Sequence, residues 1–105
     1  MTDITLHGWT VDIDSDEVSE VTGSRLVLLS TNIPFSDGDS LHFFNAAGTS
    51  VPEALRSLAD QLSAASKVMI WLGADSTHEK VHDFALHIIT EAFQIEHAAL
   101  TRVAA

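Results

Sequence analysis

The 105 residues include no cysteine and no tyrosine, only two prolines, and five Lys and Arg against fifteen Asp and Glu. Without cysteine there is no disulfide framework, no thiol nucleophile and no thiolate metal site. A formal net charge of −10 and a pI near 4.6 argue against a surface that grips nucleic-acid phosphate, which needs clustered cations. No apolar run approaches the roughly eighteen residues of a membrane span. The opening Met1-Thr2-Asp3-Ile4-Thr5 lacks the positive charge and apolar core of a signal peptide. These absences predict a cytoplasmic protein that binds neither nucleic acid nor membrane. What is present is a chain 46% hydrophobic, with mean hydropathy +0.18, too apolar for intrinsic disorder. Its length suits one compact domain over residues 1–105.

Hydrophobic periodicity supplies the expected elements. Ile4, Leu6, Trp9, Val11 and Ile13 alternate with polar residues in the period of a half-buried strand, slipping by one at His7-Gly8 as a bulge or bend would allow. An acidic stretch from Asp14 ends in the turn signal Thr22-Gly23-Ser24, and Arg25-Leu26-Val27-Leu28-Leu29 reads as a second strand. Ser36-Asp37-Gly38-Asp39 is a strong turn, after which Ser40 to Phe44 reads as a third strand. Ser50-Val51-Pro52-Glu53 is a capping box with proline in the first turn. Val51, Ala54, Leu55, Leu58, Leu62 and Ala65 follow it on one helical face. Lys67 to Leu72 reads as a buried fourth strand, and Ser76-Thr77-His78-Glu79 as the cap of a helix reaching about Arg102. The expected fold is therefore α/β (α+β), a four-stranded mixed sheet in β-β-β-α-β-α order with two helices, the crossover between the last two strands being right-handed.

This pattern has more apolar surface than two helices and one sheet face consume. Should both helices share a face, a patch of Phe44, Trp71, Met69, Val27 and Leu29 is expected to lie open. In the last helix Val81, Phe84, Ala85, Ile88, Ala92, Ile95 and Ala99 form one stripe and Leu86, Ile89, Phe93 and Leu100 a second, spanning about 200°. Leu86, Phe93 and Leu100, seven apart, align along one seam, where a second copy or a partner would pack. Leu86, Phe93, Leu100, Phe44 and Trp71 are accordingly the candidate interface residues.

Three constellations invite a chemical reading. Asp12, Asp14, Asp16, Glu17 and Glu20 are five carboxylates within nine residues, and on a regular strand the three aspartates would share a face about 6.6 Å apart. The stretch departs from a calcium loop because Glu17 stands where the turn glycine is needed and Gly23 where the bidentate glutamate belongs. It reads instead as a recognition surface for a basic partner. His78-Glu79-Lys80-Val81-His82 matches H-E-x-x-H, in which two histidines hold zinc and the glutamate acts as base. The motif sits in the first turn of its helix, and His7, His42, Asp75 and Asp83 are possible third ligands at no known spacing. His78 and His82 therefore stand as metal candidates, with zinc the possible ion, and surface histidines as the simpler reading. The Gly73-Ala74-Asp75-Ser76-Thr77 loop leads into a helix N-terminus, but it lacks a phosphate-binding glycine pattern and carries an aspartate that would repel phosphate.

No nucleophile elbow or complete catalytic set is present. The sequence points to a small acidic interaction protein without enzymatic activity, of the immunity-protein, antitoxin or anti-defence inhibitor kind, binding a basic protein stoichiometrically and possessing no cofactor. The alternatives are a metal-binding or metal-dependent protein built on His78, Glu79 and His82, and a homodimeric small-ligand module using Trp71 and the Gly73 loop.

Overall fold

The computed structural model of the protein describes residues 4–6, 8–34, 41–71 and 77–104, with side chains at all of these except 34, 41, 42, 69–71, 77 and 99–104. The strands are β1 (Ile4–Leu6), β2 (Trp9–Val18), β3 (Arg25–Pro34) and β4 (Leu41–Gly48); the helices are α1 (Val51–Trp71) and α2 (Thr77–Ala104). The four strands form one sheet in the order β1-β2-β3-β4. Every pairing is antiparallel. The class is α+β, but the order is β-β-β-β-α-α.

Two expectations are corrected here. Where a bulge or bend within one strand was expected, the chain reverses: Leu6 pairs with Trp9, and Gly8 between them has φ +81°, a left-handed conformation that favours glycine. One expected strand is therefore two. Lys67 to Trp71, expected in a strand, belongs to α1, Leu72 lies outside the described residues, and among the described residues the sheet is wholly antiparallel, without a crossover. Ser63-Ala64-Ala65-Ser66 propagates the helix without glycine or proline, and a short apolar run at a helix end has the same composition as a buried strand. The other strands run longer than their apolar runs suggest. β3 extends through Ser30-Thr31-Asn32 to Pro34, and β4 takes in Ala46-Ala47-Gly48.

Local chemistry fixes the turns and caps. Ser19 accepts the Gly23 N–H on its carbonyl (2.9 Å) and donates its own N–H to Ser24 (2.8 Å), while its Oγ lies 3.3 Å from the N–H groups of Val21 and Thr22. Gly23 completes the reversal at φ +74°. At α1, Ser50 Oγ accepts the Glu53 N–H (3.3 Å), as the capping box predicts. The Glu53 carboxylate reaches back to the N–H and hydroxyl of Thr49, and these bonds hold its pKa below the ordinary glutamate value.

Both helices cover the same face of the sheet. Val27, Leu29, Ile33, Ile4 and Val11 from the strands meet Leu55, Leu58 and Leu62 of α1 and Val81, Phe84 and Ile88 of α2 in one buried cluster. The ring of Trp9 stands edge-on to Phe84, centroids 5.7 Å apart. Two buried hydroxyls are satisfied within this layer, Thr31 Oγ1 donating to the Thr10 carbonyl and Ser66 Oγ to the His78 carbonyl, each at 2.9 Å. The second bond ties α1 to α2. Among the described residues no helix lies on the other face of the sheet.

Candidate functional site

Strand pairing determines what the open face presents. On β3, Val27, Leu29, Thr31 and Ile33 are buried beneath the helices, so Leu26, Leu28, Ser30 and Asn32 point the other way. Across β4, Leu28 pairs with Ala47, Ser30 with Asn45 and Asn32 with Phe43. Across β2, Leu26 pairs with Glu17, Leu28 with Ser15 and Ser30 with Asp12. Cross-strand partners share a face. The open face is therefore a grid in which Leu26, Leu28 and Ala47 are neighbours at one end, Ser30 and Asn45 form the polar middle, and Phe43 stands on β4 at the other end, with Glu17 and Asp12 along the β2 side. Phe43 is 59% exposed, Leu26 51% and Leu28 37%.

The acidic segment does not form the single row that a regular strand would make. Register shifts between Ile13 and Ser15, with Ile13 opposite Leu29 and Ser15 opposite Leu28. Asp14 is the extra residue of a β-bulge, and the bulge reverses the facing of everything after it. Asp12 stays on the open face, whereas Asp16, opposite Val27, lies on the helix side beyond the reach of the helices. There Asp16 accepts from Arg25 Nε and from a terminal guanidinium nitrogen at 2.7 Å each, a bidentate pair that holds its carboxyl below the usual aspartate range. β4 ends at Gly48 opposite Val27, so beyond that point β2 and β3 continue as a two-stranded arm. Glu17, Val18, Glu20 and Val21 are exposed on it.

A groove is lined by Asp14, Leu28, Phe43, Asn45 and Ala47, touches Leu29 and Ala46 of the same strands, and reaches Ser57 and Gln61 of α1 around the β4 edge. Gln61 Nε2 donates to the Asn45 carbonyl at 2.7 Å, closing one acceptor of that edge. Among the described residues nothing pairs with the carboxylates of Asp12, Asp14 or Glu17.

The candidate interface residues fall in different places. Leu86 and Phe93 are 50% and 61% exposed on α2, in line with a surplus second stripe. The Arg56 guanidinium of α1 sits 5.5 Å from the Phe93 ring centroid and pairs with Glu96. Phe44 belongs to the covered face, where it packs half-buried against the core, and Val27 and Leu29 are fully buried. Of the expected patch, Phe44, Val27 and Leu29 thus lie on the helix-covered side of the sheet. Trp71 ends α1 rather than a strand, and its side chain, with those of Met69 and Leu100, lies outside the described residues.

His78 and His82 line a second groove with Ser63, Ser66, Lys67, Glu79 and Asp83, where the end of α1 meets the start of α2. Among the described residues no three His, Cys, Asp or Glu side chains are grouped to hold a metal ion. His7, Asp75 and the Gly73 loop lie outside the described residues, as does the side chain of His42.

Leu26, Leu28, Phe43, Asn45 and Ala47 were not among the candidates drawn from the sequence. The signal that marks them is parity along the full length of β3. Leu26 and Leu28 share it with Ser30 and Asn32, whereas Val27 and Leu29 share it with Thr31 and Ile33. No protein-family model, curated protein or solved structure matches the chain. Among the described residues no helix is long and apolar enough to cross a membrane.

Proposed function

We propose that this protein is a small acidic interaction module that binds a basic protein partner stoichiometrically through its open sheet face, as an immunity protein, antitoxin or other protein inhibitor does. The observation that carries the reading is the juxtaposition on one uncovered face of Leu26, Leu28 and Phe43 with the carboxylates of Asp12 and Glu17. Exposed apolar side chains bordered by charged ones are a common feature of protein interfaces. Contiguous apolar surface that a monomer leaves open generally marks such a site. A net charge of −10 steers a cationic partner toward the face and keeps like-charged proteins away.

The test is affinity capture from the native host with wild type and with the pair Leu28→Asp and Phe43→Asp, followed by calorimetry with the partner identified. The reading expects a defined 1:1 or 2:2 complex with a basic protein, lost in the double variant and weakened by added salt. A partner bound equally well by the double variant overturns it.

A further inference from the structure

We infer that the groove across the open face is a receptor for an arginine side chain of the partner, with Asp14 as the residue that takes its charge; this inference rests on the proposed function and specifies its recognition chemistry. The groove runs from Gln61 at the β4 edge across β4 and β3 to Asp14 on β2. That path is two inter-strand spacings, about 9.6 Å, which an extended arginine entering from the edge can follow. Leu28, with Ala47 beside it, and Phe43 stand as its walls, and Asn45 lies between them in the β4 register. Aliphatic methylenes pack on such walls while a charged head continues to a polar end.

Two features select a cation and then arginine. The β-bulge takes Asp14 out of cross-strand pairing and into the groove, and among the described residues no side chain neutralises it. A delocalised, weakly hydrated guanidinium stacks on an aromatic wall and forks onto a carboxylate, whereas an ammonium is compact and strongly hydrated. The protein already makes both contacts internally. Arg56 lies over the Phe93 ring, and Arg25 bonds Asp16 with both arms of its fork. Phe43 and Asp14 both line the groove, and among the described lining residues there is no cation.

The experiment is an amide chemical-shift titration of the whole protein with N-acetylargininamide, the lysine analogue, and the neutral citrulline isostere. The expected result is saturable shifts centred on Asp14, Leu28, Asn45 and Ala47 with the arginine probe, several-fold weaker binding of lysine, and none of citrulline. Asp14→Asn is expected to weaken arginine binding roughly tenfold or more, and Glu91→Gln, on α2, to leave it unchanged. Absence of saturable shifts up to the probe's solubility limit overturns the inference. So do shifts centred on Glu17 to Glu20, or equal binding in Asp14→Asn. A natural partner lost in the Leu28 and Phe43 variant but indifferent to Asp14→Asn would sink the arginine site while leaving the interaction function standing. Arginine binding in the groove without any basic partner would do the reverse.

Discussion

At the scale of single residues, two positions carry more than their composition suggests. Gly48 ends β4 where the strand passes under α1, and a Cβ there would lie 2.6 Å from the Ala54 nitrogen. That neighbour is helix backbone and yields little, so Gly48→Ala is expected to cost about 1–3 kcal/mol, read by urea unfolding. The requirement for glycine was not legible in the sequence, where Ala46-Ala47-Gly48 looks like the end of a pattern; it arises from an approach between two elements. Asp16 is the second. Arg25 lowers its folded pKa, chiefly through the side-chain hydrogen bond, relative to about 3.9 in an unfolded chain. A depressed carboxyl stabilises the fold fully above the unfolded value and loses that contribution as pH falls through the folded one. Asp16→Asn is therefore expected to flatten part of the acid-side decline, seen in urea midpoints compared between about pH 5 and pH 2. The sequence showed both charges but not their pairing, because the bulge decides which residues of β2 meet the face of Arg25.

Elements were legible in proportion to how far local chemistry alone defined them. The α1 cap is an example, since Ser50, Pro52 and Glu53 act within one turn; Ser50→Ala is expected to cost about 1 kcal/mol, measured by thermal unfolding. The buried stripe of α2 is another: Val81, Phe84, Ala85, Ile88 and Ala92 are buried at the positions the 3.6-residue period selects. The strand expected over Lys67 to Leu72 failed because five apolar residues satisfy either period, and only the neighbouring helix settles which one propagates. The bulge in β2 was equally hidden, since alternation reads smoothly through Asp12, Asp14 and Asp16. It yields a direct test. Deleting Asp14 joins Ile13 to Ser15 in continuous alternation, so the β2–β3 register is expected to survive with a melting temperature lowered by only a few degrees. The groove loses its acid in the same step. Backbone amide exchange checks the first outcome and the arginine titration the second.

For the molecule as a whole, the decisive fact is that both helices lie on one side of the sheet. This separates two phenylalanines of α2 that the sequence places on neighbouring stripes. Phe84 is fully buried against Trp9, so Phe84→Ala is expected to cost about 3–5 kcal/mol. Phe93 is 61% exposed beneath Arg56, so Phe93→Glu is expected to cost little more than the cation–π contact, about 0.5–1 kcal/mol. Denaturant unfolding of the two variants checks the contrast, and sedimentation of Phe93→Glu against wild type shows whether that stripe joins two copies. The open face makes the matching prediction for binding. Substituting Asp12→Asn and Glu17→Gln together is expected to slow association with a basic partner roughly tenfold at low salt. Dissociation changes less, because rim charges act mainly on encounter. Stopped-flow kinetics at low and high salt separates the two rates.

By itself the sequence determined the charge, the helix caps, the buried stripe of α2 and the presence of a surplus of apolar surface. Each is a property of composition or of residues a few positions apart, where backbone geometry alone brings side chains together. Which side of the sheet would stay uncovered was decided only by tertiary structure. Adjacent residues in β3 are almost equally apolar, Leu26 and Leu28 against Val27 and Leu29, so burying either set in isolation gains similar free energy. The choice falls to the helices and to the polar residues farther along the strand. Ser30 and Asn32 share the parity of Leu26 and Leu28, and turning that face inward would carry Asn32 into the core while exposing Ile33. Helix packing therefore takes the Val27, Leu29 and Ile33 face, leaving Leu26, Leu28 and Phe43 on the other, the face that also carries Asp12 and Glu17.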